Sequence, residues 1–294
     1  KGAAYFATPS RITTGLGIVT GLVGTDLLLV MLLLAARIPL LDRTFGHDKL
    51  LAWHRKLGKP VFYLISAHMV LLLIGYGISE GINPIAEIFS MIETGSDMLI
   101  TWAGFGFMVL VIVSSLVIVR KKLNYEFWFV VHLLSYVSVI LALPHQFTNG
   151  KLFAEGTWAR PYWMALFVGT FAAITIYRVI VPIARSWRHQ LRVVDVRMET
   201  SDVITITVAG RDLDKLPAKG GQFLNWRFWQ PNMILKAHPF SFSAAPDGRT
   251  LRVTIRNLGR QTNRIMKMRV GTRVSFEGPY GMFTEDARTT SNAV

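Results

Sequence analysis

Cysteine is absent from this 294-residue chain, and charged residues are scarce. Without a thiol, the chain can form no disulfide, hold no iron–sulfur cluster and carry out no thiol catalysis. Aspartate and glutamate together number 18, against 32 lysines and arginines. Only 17% of the residues are charged, whereas 51% are hydrophobic and the mean hydropathy is +0.38. These values indicate a membrane protein with a soluble part attached.

The excess of basic residues gives a net charge of +14 and a pI near 10.3. Nucleic-acid binding is one interpretation of such a charge. The basic residues, however, cluster between long apolar stretches, in a polar turn at 37–49, at 120–122 and at 185–192, whereas the loop at 80–97 has four acidic residues and no basic one. This alternation follows the positive-inside rule, so we expect cytoplasmic basic loops, a lipid bilayer as the surroundings and no nucleic-acid partner.

Five apolar stretches are long enough to cross a bilayer. They cover residues 12–36, 50–79, 98–119, 123–145 and 161–184. Asp26 is the only charged residue in the first stretch, and no function is assigned to it. The sequence therefore predicts a multi-pass α-helical membrane bundle within a domain at 1–189.

The composition changes after about residue 190, where the apolar runs become short and alternate with polar residues. Residues 191–198, 203–208, 222–228 and 250–256 have the pattern of half-buried strands. Glycine-containing turn signals separate them. Many short strands in so few residues predict a small antiparallel β-barrel as a second domain at 190–294.

Two of the apolar stretches carry a pair of histidines each. His54 and His68 are fourteen residues apart, and His132 and His145 are thirteen apart. Fourteen residues of ideal helix rise about 21 Å and turn about 40° beyond whole turns, so the first pair shares a face. Thirteen residues leave the second pair about 140° out of phase. Pro144, directly before His145, can kink the helix and so change the direction in which His145 points.

Imidazole is a frequent metal ligand and binds haem iron axially. Under the positive-inside assignment both histidine stretches run outward, which pairs His54 with His132 near the cytoplasm and His68 with His145 near the outer face. We therefore predict two bis-histidine b-type haems, one above the other. A lone membrane histidine can instead bond a neighbouring helix, but two pairs of nearly equal spacing are hard to explain in that way.

Three basic residues near the cytoplasmic ends of the spans are further candidates: Arg37, Arg55 and Lys59. Their charge suits the propionates of the inner haem. It equally suits the phosphates of anionic lipids. The sequence leaves both interpretations open.

The second domain carries short motifs in a fixed order. Residues 238–243, with the sequence HPFSFS, resemble the FAD-binding signature of the ferredoxin-reductase superfamily, in the form used by ferric reductases and NADPH oxidases. Residues 252–256, a glycine–threonine pair that opens a short helix, and residues 278–281 follow in the order of that family. The resemblance implies flavin contacts from the first motif and pyrophosphate contacts from the arginine and the threonine. The cofactor-binding residues it implies are His238, Pro239, Phe240, Ser241, Arg256, Gly259 and Thr262.

The membrane part is similar to the ferric-reductase-like transmembrane domain, including the histidine spacings. The resemblance implies a plasma (inner) membrane oxidoreductase, in which electrons pass from NAD(P)H through FAD on the cytoplasmic side and two haems to a ferric chelate or oxygen outside. Six helices and a nicotinamide-binding domain are usual in that family, so we expect a further span before Lys1 and most of the NAD(P)H site after Val294. Animal NADPH oxidases have a further histidine at the position of Leu72, whose identity here argues against dedicated superoxide production.

A second interpretation is a membrane cytochrome b subunit of a larger complex, with the β-domain as a partner-docking module that has no flavin. A third, a basic transporter, explains the spans but neither the paired histidines nor the HPFSFS motif. The motif favours the flavin-containing oxidoreductase over both.

Overall fold

The computed structural model describes residues 7–148, 155–231, 233 and 236–285. The helices in this part of the chain are, in order, α1 (Pro9–Ala35), α2 (Pro39–Phe45), α3 (His47–Glu80), α4 (Pro84–Thr94), α5 (Met98–Ser115), α6 (Val117–Arg120), α7 (Tyr125–Thr148), α8 (Ala159–Ile174), a π-helical turn (Thr175–Ile180), α9 (Val181–His189) and α10 (Arg260–Ile265). Five segments of the described residues are long and apolar enough to span a membrane: α1, α3, α5, α7 and the continuous run Ala159–His189. The five predicted candidate spans are thus confirmed.

The connections are more helical than the sequence predicts. The polar turn at 37–49 contains α2, and the acidic loop at 80–97 contains α4. Helix α4 begins there because the Asn83 side-chain oxygen accepts hydrogen bonds from the backbone N–H groups of Ile85 and Ala86, at 3.0 and 2.9 Å. Pro84 occupies the first helical position, where its missing N–H costs nothing.

The chain divides into two compact units, of which the first comprises residues 1–35 and 52–171. Small residues let its helices approach closely. On α1, Gly24 faces Ile65 of α3, and on α5 the carbonyl of Gly104 accepts a hydrogen bond from Ser138 Oγ of α7 at 2.7 Å. Lipid gives apolar helices no hydrophobic reason to associate, so close contacts of this kind hold membrane bundles together.

The second unit comprises residues 36–51 and 172–294, so the segment between α1 and α3 groups with it. Its strands are β1 (Arg192–Thr200), β2 (Val203–Ala209), β3 (Phe223–Phe228), β4 (His238–Ser241), β5 (Thr250–Arg256) and β6 (Val274–Tyr280). They form two antiparallel sheets with strand orders β1-β2-β5 and β4-β3-β6. Large buried side chains such as Trp226, Phe228 and Phe276 belong to the core of this unit.

The two sheets do not close into a barrel within the described residues. The two sheets are linked by an isolated bridge between Arg192 and Arg273. The β1–β2 register also shifts between Val193 and Asp195, which interrupts the ladder near that edge. The structure therefore has two small antiparallel sheets where the sequence predicts a barrel. The domain boundary at residue 189 stays a prediction.

Candidate haem and flavin sites

The four membrane histidines lie on two helices of the first unit. His54 and His68 belong to α3, and His132 and His145 belong to α7. The ring centres of His54 and His132 are 6.1 Å apart, and those of His68 and His145 are 6.5 Å apart. The structure therefore brings together the two pairs that the sequence predicts.

These distances suit an iron between each pair. A metal–imidazole bond of about 2.0 Å, with a ring centre roughly 1.1 Å beyond the nitrogen, places two axial rings about 6 Å apart across one metal. Groups of three or more candidate ligands for a metal ion are absent from the described residues. Two histidines, one on each side of a planar tetrapyrrole, need no such group, because the macrocycle supplies the other four ligands.

The two histidines of α3 are oriented by carbonyls of α1. His54 Nδ1 lies 2.9 Å from the Met31 oxygen, and His68 Nδ1 lies 2.7 Å from the Gly17 oxygen. A carbonyl only accepts hydrogen bonds, so each Nδ1 carries the proton and each Nε2 is left for a metal. A histidine that merely linked two helices would make the same bond. The opposing ring on α7 is what favours metal ligation.

The histidines of α7 have different surroundings. His132 stacks on Trp128 with ring centres 5.0 Å apart, and its Nδ1 lies 3.4 Å from Ser115 Oγ. His145 Nδ1 is buried and has no hydrogen-bond partner among the described residues. A metal bond at Nε2 would leave this nitrogen without a partner, so the facing His68 ring, and not the burial of Nδ1, is the observation that favours ligation here.

Two glycines make room for this arrangement. A side chain at Gly21 of α1 would overlap the His68 ring, so the helices approach here only because Gly21 has no Cβ. Gly58, one turn after His54, lines a largely apolar cavity of about 40 Å³ between α1, α3, α5 and α7. Facing rings and oriented nitrogens fit the axial ligands of two haems in this unit.

Four of the predicted flavin-binding residues lie on β4. His238 is buried and stacks on Phe240, with ring centres 5.9 Å apart and planes 5° from parallel, whereas Pro239 and Ser241 are exposed. Burial, and then the charge of Lys236, lower the pKa of His238, so the ring is neutral at pH 7. Its Nε2 is buried and finds no hydrogen-bond partner in the described part of the chain.

The predicted pyrophosphate residues lie where β5 ends and α10 begins. Thr262 Oγ accepts a hydrogen bond from the Leu258 N–H at 2.8 Å and thereby orders the loop. Gly259 has φ 147°, and no atom lies within 4 Å of the place a Cβ would take, so its backbone is open to an approaching group. Arg256 is exposed, and its Nε lies 2.8 Å from Asp202 Oδ2. It would have to leave that carboxylate to bind a phosphate.

Sequence reasoning missed a buried polar cluster in the second unit. Arg37 forms an ion pair with Glu277, its Nη1 lies 3.4 Å from Tyr280 Oη, and the His47 ring stacks on Tyr280 at 5.0 Å. Burial, and then repulsion from Arg178, lower the pKa of Arg37 to about 10, which still leaves it charged at neutral pH. The Arg37–Tyr280 contact joins residues 243 positions apart, so no local pattern could reveal it. These contacts surround Arg37, and its interpretation as a partner of haem propionates stays a prediction.

Comparison with known proteins gives two family matches. Residues 20–143 match the family "Ferric reductase like transmembrane component", and residues 188–284 match the family "FAD-binding domain". The first range contains His54, His68 and His132 and ends two residues before His145, and the second contains all seven predicted flavin residues. None of the curated proteins matches the chain.

Three solved structures show weak likeness. The ferredoxin reductase in carbazole 1,9a-dioxygenase is 26% identical over 32% of this chain and 29% of its own, with a TM-score of 0.27. The ferredoxin-NADP+ reductase from Plasmodium falciparum is 19% identical over 33% and 41%, also at 0.27. A flavohaemoglobin from Malassezia yamatoensis with bound FAD and haem is 14% identical over 97% and 68%, at 0.35. The chain spans less than half the length of the first two.

A multi-pass helical membrane unit joined to an FAD-binding domain defines a transmembrane oxidoreductase. The two matches together support a ferric reductase and NADPH oxidase-like family.

Proposed function

We propose that the chain carries electrons across a membrane, from NAD(P)H through FAD and two b-type haems to a ferric chelate or oxygen on the outer face. The observation that carries this proposal is the pair of facing imidazoles at two levels of α3 and α7, with ring centres 6.1 and 6.5 Å apart. When bound, FAD exchanges a hydride for single electrons, and haem iron passes them on one at a time.

The residues of the chain then have defined tasks. His54 with His132, and His68 with His145, would each hold one haem, which would supply one-electron transfer with no open metal position for an outer acceptor. The Met31 and Gly17 carbonyls hold the α3 rings in the tautomer that ligation needs.

The orientation follows from charge. Basic residues flank the α1–α3 and α5–α7 connections and the end of α9, which supports a cytoplasmic location for these segments and for the FAD-binding domain. On this assignment the His68–His145 pair lies toward the outer face of the plasma (inner) membrane. The proposed domains are residues 1–189 for haem and residues 190–294 for FAD.

Absorption spectroscopy of the purified chain tests the function. We expect a reduced-minus-oxidised spectrum of low-spin b-type haem at two haems per chain, and flavin fluorescence equal to one FAD after denaturation. Absence of haem after expression with ample haem supply would refute the proposal. Two haems without flavin would instead identify a cytochrome b subunit that receives electrons from a partner.

One observation favours that alternative, because Arg256 is already paired with Asp202. If Arg256 binds the FAD pyrophosphate, Arg256→Gln should weaken FAD binding about tenfold to a hundredfold, as expected for one charge-assisted hydrogen bond. Asp202→Asn should leave binding unchanged or tighten it, because it releases the arginine. Fluorescence titration with FAD measures both effects. Arg249→Gln, an exposed substitution outside the motif, is the matched control, and equal affinities for the two arginine variants would exclude Arg256 from the site.

A further inference from the structure

A cleft of about 590 Å³ lies entirely within the second unit. Four basic side chains and two carboxylates line it: Arg37, Arg43, Arg185, Lys219, Asp42 and Glu277. The seven predicted flavin-binding residues are not among its lining residues, whereas residues 278–281, the last of the family motifs, are. The cleft therefore lies apart from the HPFSFS motif, adjoins the last family motif and has an excess of positive charge.

Both carboxylates already have partners within the unit. Glu277 pairs with Arg37, and Asp42 Oδ1 lies 3.0 Å from His47 Nδ1. Arg185 donates one hydrogen bond to the Gly278 carbonyl, which occupies one of the five N–H donors of its guanidinium. Its remaining donors, together with the exposed guanidinium of Arg43, leave the cleft suited to a multivalent anion such as a phosphate group.

The cleft lies where membrane-spanning segments end. Tyr177, Val181 and Arg185 in its lining belong to the last candidate span, and Arg37 follows α1 by two residues. Large apolar side chains nearby in the chain are exposed: Leu40 by 73%, Ile180 by 52% and Ile183 by 62%. Exposed apolar residues beside basic ones at the end of a span are typical of contact with lipid chains and headgroups.

We propose that this cleft binds the phosphate headgroup of an anionic membrane lipid, with Arg43 and Arg185 as its ligands. A free phosphate offers the same anionic group but gains nothing from exposed apolar residues such as Leu40 and Ile183. The proposal needs only the membrane location of the chain, and it holds whether or not the proposed electron path is correct. It predicts that the cleft binds an anionic lipid more tightly than the general attraction between a basic protein and anionic lipids would explain.

The experiment uses the full chain in nanodiscs of phosphatidylcholine, with or without phosphatidylglycerol, and native mass spectrometry of the lipids retained after release. We expect retention of phosphatidylglycerol and not of phosphatidylcholine. The double variant Arg43→Gln/Arg185→Gln should retain it about thirtyfold less well, as expected for two basic side chains at a lipid surface. Arg37 is left unchanged, because its buried pair with Glu277 supports the fold.

Two further variants keep the test decisive. Arg249→Gln/Lys267→Gln removes the same charge from exposed positions outside the cleft and should retain the lipid fully. Arg43→Lys/Arg185→Lys keeps the charge and should retain most of the binding, which separates loss of a ligand from loss of folding. Equal loss in both glutamine variants, equal retention of phosphatidylcholine, or displacement of the lipid by an equal concentration of inorganic phosphate would each overturn the proposal.

Discussion

Replacement of His68 by glycine is expected to lower the haem content of the purified chain from two to one per chain. The reason is that a bis-histidine iron with one imidazole removed keeps a single protein ligand, inside a site shaped for two. His145→Gly should remove the same haem, because the two ring centres are 6.5 Å apart. Pyridine haemochrome quantification, with a redox titration of the remaining haem, measures both results. Flavin content should not change in either variant.

Added imidazole separates ligation from folding. In His68→Gly the missing ring leaves a space of its own shape, so millimolar imidazole should restore the second low-spin haem, whereas a misfolded chain would not respond. His54→Gly and His132→Gly should lose the other haem, recognisable by a different midpoint potential. If His68→Gly and His145→Gly lost different haems, the pairing across α3 and α7 would be wrong.

A milder change on the neighbouring helix gives an independent check. Gly21→Ala places a methyl group against the His68 ring without touching a histidine, so it should disturb the outer haem alone. Gly169→Ala is the matched control, since no atom lies within 4 Å of the methyl group there. Equal spectra for these two variants would show that the position of His68 is unrelated to haem binding.

The length of the apolar stretches is enough to locate the five spans, because a helix that crosses a bilayer needs about twenty predominantly apolar residues in succession. The helices between the spans are not predictable in this way. Helix α4 depends on a cap from Asn83 within a stretch whose acidic residues indicate a loop. In the second unit, alternation predicts β1, β2, β3 and β5, whereas β4 and β6 contain prolines at 239 and 279 that oppose a strand assignment. Closure of the sheets depends on contacts between edges, which strand patterns do not specify.

The sequence predicts which membrane histidines face each other, but it does not predict what surrounds each pair. An ideal helix separates His132 and His145 by about 140°, yet both lie opposite histidines of α3. Pro144 lies inside α7 and removes one helical hydrogen bond, so the ideal repeat need not hold across it. The carbonyls of Gly17 and Met31 come from a different helix. Sequence spacing on α3 carries no information about them.

The ion pair between Arg37 and Glu277 gives the largest expected effect on stability outside the haem sites. Both side chains are 16% exposed, so neither is well hydrated. Arg37→Met keeps most of the side-chain volume but leaves the Glu277 carboxylate buried beside Arg227, which lies 3.5 Å away and is more exposed. Breaking one side of such a pair is expected to cost about 3 kcal/mol in the free energy of unfolding. Thermal unfolding of the full chain, followed by tryptophan fluorescence, measures the loss.

A double-variant cycle decides whether the pair itself is responsible. Glu277→Gln should destabilise the chain by a similar amount, because it leaves the largely buried Arg37 guanidinium without its carboxylate partner. Arg37→Met/Glu277→Gln should recover most of the loss, since no uncompensated charge then stays buried. Lys215→Gln, which removes an exposed ion pair with Asp212, should have no measurable effect. If Arg37→Met behaved like Lys215→Gln, or if the two single losses simply added, residues 36–51 would be held to β6 by packing alone.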